Sequence, residues 1–191
     1  MSLIPVTDLK HWAYCPRVVY YHHVLPGAAQ PTWKMREAVS AQDMIERLEV
    51  RRGLREYGWD GGNRRFGIWL TSESVGLSGK LDLLLEREGE GAVVDFKLTS
   101  GEMGDNHRMQ LSGYAVLAEA CCGLRVERAF MYRIPDDRVF AFSVTAAWKQ
   151  RVTDAITAIQ ELERTAWWPE PTPVRARCAE CEYINFCADI W

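Results

Sequence analysis

The chain lacks any apolar run near the ~20 residues that a membrane span requires. Its first residues, MSLIPVTDLKHW, lack the basic start and apolar stretch of a signal peptide. These absences point to a cytoplasmic protein, in which cysteine is a metal ligand or a free thiol rather than half of a disulfide. An excess of positive charge is missing too. Against 26 Asp and Glu stand 23 Lys and Arg, a net charge of −3. A polyanion would therefore be met by a local basic field, not by the whole surface. Arg51, Arg52 and Arg55, or Arg64 and Arg65, are available for such a rim, although each cluster reads first as a solvated face. Internal repeats and low-complexity segments are absent. What is present, 191 residues of which 48% are hydrophobic and 26% charged, suffices for one domain with a packed core.

The most informative stretch is LSGKLDLLLEREGEGAVVDFK, residues 77–97. It predicts two strands, over 75–86 and 92–97, joined by an acidic, glycine-containing turn. A carboxylate inside a leucine-rich strand is costly unless it is paired or bound to a metal. Here there are two, Asp82 and Asp95, and Lys97 follows the second. Residues i and i+2 of a strand share a side, so Asp95 and Lys97 share one face and Val94 and Phe96 the other. A register that puts Asp82 on the Asp95 face makes two carboxylates and an ammonium converge; a slip of one residue undoes this. Such a pair suits a hard cation, Mg²⁺ or Mn²⁺, and phosphoryl chemistry. An ordinary hairpin with solvated acids is the competing reading.

Around this hairpin the pattern alternates helix and strand. A helical region is expected over 3–25, capped by Thr7 or Asp8 and restarted by Pro16. His22 and His23 on it are adjacent, face different directions, and read as surface or packing residues. After a Pro-Gly loop, a long amphipathic helix is expected over 34–57. A glycine turn at 61–63 leads to a short strand over 65–71. A helix over 105–122 closes at Gly123, with Gln110 and Tyr114 on one face. Cys121 and Cys122 at its end read as small buried hydrophobes. Two strands, 126–134 and 138–144, and a helix over 145–165 complete the body.

The tail changes character. Residues 167–191 are proline-bounded and hold Cys178, Cys181 and Cys187, the pattern C-x₂-C-x₅-C. Three thiolates are one short of a tetrahedral site, which Cys15, Cys121 or Cys122 could complete. Zinc and an iron–sulfur cluster are equally consistent with four cysteines.

Five short motifs occur in one order: Tyr14-Cys15-Pro16-Arg17, Gly79-Lys80-Leu81-Asp82, Val94-Asp95-Phe96-Lys97, Gln110 with Tyr114, and the terminal cysteines. Over nearly the whole chain this resembles the CRISPR-associated Cas4 exonucleases, RecB-like members of the PD-(D/E)XK nuclease superfamily. The resemblance implies a restriction-endonuclease-like α/β fold, a mixed central sheet flanked by helices. It implies a single nuclease domain over 1–191 in which 1–25 and 167–191 form a cluster subregion. Asp82, Asp95 and the backbone carbonyl of Phe96 would hold Mn²⁺ or Mg²⁺. Lys97 would be the catalytic lysine, and Gln110 and Tyr114 the helix pair of the catalytic site that positions the substrate or the active site. Cys15, Cys178, Cys181 and Cys187 would hold a [4Fe–4S] cluster. The expected activity is metal-dependent trimming of single-stranded overhangs on prespacer DNA. It also implies selection of fragments that carry the protospacer-adjacent motif, alongside the Cas1 and Cas2 integrase, separate or as a fused domain. A repair nuclease, a DNA reader that does not cut, and a zinc-stapled interaction domain are the alternatives. One departure stands out. Many members of that family carry a metal-binding histidine on the first long helix, where this chain has Gln42, Asp43 and Glu46.

Overall fold

The computed structural model describes residues 2–26, 54–59, 61–99 and 101–187. The helix expected over 34–57, with Gln42, Asp43 and Glu46, and the arginines Arg51 and Arg52, lie outside them, apart from a 3-10 turn at Leu54–Tyr57. The centre is a mixed six-stranded sheet. β1 (Ile4–Pro5) runs parallel to β3 (Leu77–Arg87), and β2 (Asn63–Ser72) runs antiparallel to β3. β4 (Glu90–Lys97) is antiparallel to β3 and parallel to β5 (Arg125–Arg133), and β6 (Arg138–Ser143) closes the far side. The alternating apolar pattern placed these strands to within a few residues. The Ile4–Pro5 strand was not expected, because two residues carry no periodicity.

Among the described residues, three helices cover one face. α1 (Val6–Tyr14), α3 (Asp105–Cys122) and α4 (Ala146–Thr165) pack Val6, Leu9, Leu111, Leu117, Val152 and Ile159 against Leu84, Val93, Ala129 and Met131. On the opposite face Leu83, Leu85, Val94 and Phe130 form a second apolar layer beneath Tyr57 and Trp59. The expected N-terminal helix is two helices. Pro16 opens α2 (Pro16–His23), and Cys15, extended at φ −163°, is the elbow between them. The cap expected at Thr7 or Asp8 falls instead at Pro5, so Asp8 is free to turn inward. Gly123 ends α3 in the left-handed conformation, φ 66°, which a glycine adopts without strain. Among the described residues no helix is long and apolar enough to cross a membrane.

The crossing of α1 and α3 depends on Gly113. A Cβ there would collide with the Cδ1 of Leu9 and lie 3.2 Å from Val6 Cγ1. Both neighbours are fully buried, so neither can swing away. Gly113→Val should therefore destabilise the fold by about 1–3 kcal/mol, the usual cost of overpacking, read as a lower urea midpoint at unchanged slope.

Candidate active site and cysteine centre

The sheet forks at β3. One edge of β3 pairs with β2. On the other it pairs with β1 at Leu77 and Ser78 and with β4 from Leu83 onward. Between those contacts β3 and β4 part. The inward face of β3 changes parity here, from Leu77 and Gly79 to Leu84. The β2–β3 ladder skips one position, Gly67 opposite Asp82, and Gly67 has φ 57°. Asp82 thus leaves the regular alternation, and its Oδ2 accepts the Phe96 N–H at 2.9 Å. The pairing Leu83 with Val94, carried one step further, sets Asp82 opposite Asp95.

Asp95 is 3% exposed, and its Oδ2 lies 2.7 Å from Lys97 Nζ. From α3, Tyr114 donates its hydroxyl to the Lys80 carbonyl at 2.7 Å, and burial pushes its pKa up, with Asp95 and Asp82 adding to the shift. Gln110, one turn earlier, is also buried, and its Oε1 has no hydrogen-bond partner among the described residues. An orphaned amide oxygen of this kind costs free energy unless a water, cation or substrate proton meets it. Asp82, Asp95, Phe96, Lys97, Gln110 and Tyr114 all line one cleft of about 270 Å³. Its donors are hard oxygens, the set that suits Mg²⁺ or Mn²⁺.

The sequence reading missed the contribution of α1. Thr7 lines the cleft. Lys10, one turn on, is lowered to about 8 by burial and by Lys97, against the pull of Asp95. A second cation therefore feels the carboxylates. The i, i+3 spacing of Thr7 and Lys10 was visible, but nothing in it told which way α1 faced. His107, at the start of α3, is lowered to about 4 by burial, Lys10 and Lys97. Its Nδ1 accepts the Gly104 N–H at 3.2 Å, which requires a neutral ring. Unfolded histidine titrates near 6.5. As pH falls from about 6.5 toward about 4, the unfolded chain gains a proton that the native ring refuses, so His107 withdraws stability across that window. His107→Gln should flatten the loss of stability between pH 7 and pH 4.5 in urea titrations.

Cys15, Cys178, Cys181 and Cys187 line a second, small pocket where α1 and α2 meet the tail. Cys121 and Cys122 do not line it. Cys121 is exposed, contrary to the reading of a buried hydrophobe, and its thiol donates to the Thr71 carbonyl; Cys122 packs at the rim of the main core. Two N–H groups point at sulfur in the pocket. Arg17 Nη1 is 3.3 Å from Cys187 Sγ, and the Thr172 amide is 3.4 Å from Cys15 Sγ. Four thiols lining one pocket are a donor set that suits a zinc ion or an iron–sulfur cluster.

The model of the PD-(D/E)XK nuclease superfamily matches residues 8–188. The CRISPR-associated exonuclease Cas4 of Francisella tularensis subsp. novicida is 26% identical over 187 residues, covering 97% of this chain and 94% of the relative. The protein of the same description from Aeropyrum pernix is 26% identical over 193 residues, 96% of this chain and 94% of that one. A Cas4/endonuclease Cas1 fusion of Myxococcus xanthus is 28% identical over 183 residues, 92% of this chain but 29% of the fusion. Among solved structures, the crystal structure of SSO0001 aligns with TM-score 0.58 at 19% identity, over all of this chain and 88% of that one, a likeness of fold. The chain belongs to the PD-(D/E)XK nuclease superfamily, and its relatives over nearly full length are Cas4 exonucleases.

Proposed function

We propose that this nuclease is a metal-dependent DNA exonuclease that trims single-stranded overhangs of prespacers and helps select fragments with the protospacer-adjacent motif. The observation that carries the reading is the fork cleft, where two carboxylates, a lysine and a buried, unpartnered amide oxygen meet. Asp82, Asp95 and the Phe96 carbonyl would hold Mn²⁺ or Mg²⁺, which supplies Lewis acidity at the phosphate when bound. Lys97 orients the attacking water and offsets charge developing on the phosphate oxygens. The Asp95 carboxylate fixes the ammonium from 2.7 Å. Gln110 offers an amide dipole at the floor of the cleft, and Tyr114, anchored on the Lys80 carbonyl, keeps α3 tight against β3. In-line attack leaves a phosphate on one product and a hydroxyl on the other.

Residues 1–25 and 167–191 form a subregion in which Cys15, Cys178, Cys181 and Cys187 hold a [4Fe–4S] cluster. Its support is that the four thiols line one pocket and that N–H donors aim at sulfur, which are the groups that tune such clusters. The Cas4/Cas1 fusion among the relatives supports an integrase as partner. The test is a duplex with single-stranded overhangs, incubated with anaerobically purified protein and Mn²⁺, with and without Cas1 and Cas2. Progressive shortening of the overhangs supports the reading. Intact overhangs in every mixture overturn it. A visible charge-transfer band, lost in Cys181→Ser, tests the cluster separately.

A further inference from the structure

Outside both centres, three histidines and two carboxylates gather at the far end of α1. Asp8, only 5% exposed, sits in the angle between α1 and α2. Its Oδ1 faces His11 Nδ1 at 3.3 Å and His22 Nδ1 at 3.0 Å. Its Oδ2 is held by His23 Nε2 at 2.7 Å, and the other nitrogen of His23 meets Glu163 Oε1 of α4 at 2.6 Å. Ser2 donates to the remaining oxygen of Glu163. The adjacent pair His22 and His23, read from the sequence as surface or packing residues, thus converges on one carboxylate. The two rings diverge, as neighbours on a helix must, but each reaches a different oxygen of Asp8.

The two kinds of contact differ. His23 binds Oδ2 at the distance of a charge-assisted hydrogen bond, ~2.7–2.9 Å. The Nδ1 atoms of His11 and His22 stand farther from Oδ1. That wider spacing is close to the roughly 3.4 Å that separates ligand atoms sharing a tetrahedral zinc at ~2.0–2.1 Å. All three atoms lie within 4.8 Å of one another. Asp8 and His11, at i and i+3, project from one face of α1, while His22 comes from α2. His23 and Glu163 then stand where a metal site keeps its outer partners, orienting the ligating carboxylate and fixing the ring behind it. Two imidazoles and one carboxylate form a nitrogen-rich, borderline donor set, unlike the all-oxygen cleft at the fork. His11 and His22 keep about a quarter of their side chains exposed, at 24% and 25%, which leaves a path for the ion and room for a water as fourth ligand.

We infer that Asp8, His11 and His22 form a zinc site, with His23 and Glu163 as its outer partners, that clamps α1 to α2. The segment between its ligands is the elbow that carries Cys15, so the ion would stiffen the presentation of that thiol. The inference does not depend on the nuclease reading.

X-ray absorption at the zinc edge of the intact, cluster-loaded protein, dialysed against zinc and then freed of excess, tests it directly. The expected spectrum has a nitrogen/oxygen shell with imidazole outer scattering at one zinc per chain. His22→Asn should lose that zinc, and His23→Asn should weaken it about 10–100-fold. Asp95→Asn should leave it in place. A sulfur shell, a shell without imidazole, or failure of the wild-type protein to retain zinc would each overturn the site. Because the wild-type spectrum decides, a variant that folds poorly cannot rescue or sink it.

Discussion

Lys97→Ala is expected to slow cleavage of overhang DNA by about 10²–10³-fold, the usual loss when one preorganised charge-stabilising donor is removed. Binding of the same DNA should change far less. The reason is local. Lys97 is 18% exposed and held by Asp95, so its ammonium is fixed before substrate arrives. Its loss removes an interaction that grows as charge builds on the phosphate, not one that holds the strand. Lys97→Arg should not restore the rate, because a planar guanidinium cannot fill the place of a compact ammonium against Asp95. Asp95→Ala should fall at least as far, since it deletes an oxygen donor and frees Lys97 together. The measurement is single-turnover cleavage at saturating Mn²⁺, with circular dichroism to show that each variant is folded. Near-wild-type rates for both variants would remove the fork cleft as the active site.

Arg17→Ala should be the most damaging single change outside the cleft, costing about 3 kcal/mol in stability, the scale of two charge-assisted hydrogen bonds. Arg17 is 8% exposed. Its Nε donates to the Pro169 carbonyl at 2.9 Å, its Nη1 to Cys187 Sγ, and its guanidinium lies 4.6 Å from the Trp168 ring centre. One side chain therefore joins α2 to the tail in three ways. Lysine lacks the planar fork needed for all three, so Arg17→Lys should recover little. Denaturation midpoints report the loss. If the cysteines hold a cluster, its visible band should also bleach faster in air, because the Cys187 sulfur loses a donor. A midpoint within error of wild type would show that the tail is anchored elsewhere, for example by Arg177 on the Ala13 and Tyr14 carbonyls.

The hairpin could be read in the sequence because a buried strand with an acid in it breaks a strong pattern. Asp95, two residues from Lys97, carried its own geometry. Asp82 did not. Its direction depends on a left-handed glycine in a neighbouring strand, Gly67, and no property of residues 77–87 reveals that. Lys10 was missed for a related reason: helical spacing tells which residues share a face, not which face meets the sheet. The histidine pair shows the limit of a rule about pairs. His22 and His23 make a poor chelate alone, and only the return of α2 beside α1 supplies the aspartate between them. The cysteines were legible as a set but not in their spacing, which depends on 3-10 turns in the tail.

The pairing of α1 with the cysteine-bearing tail has a consequence in time. Tyr14 meets the Arg177 carbonyl, and Arg177 returns to Ala13 and Tyr14, across a separation of 163 residues. A ribosome adding ~5–20 residues per second needs on the order of ten seconds to make the intervening chain. α1 has a partner once α3 emerges, because Leu9 docks at Gly113. The inner face of α2, with Val18 and Tyr21, and the thiol of Cys15 must wait for Tyr183 and the last cysteines. Through that interval the nascent protein carries its sheet and its cleft while one thiol stands without the other three. The four thiols that line one pocket therefore come together only after Cys187 has been made, later than the sheet and its cleft.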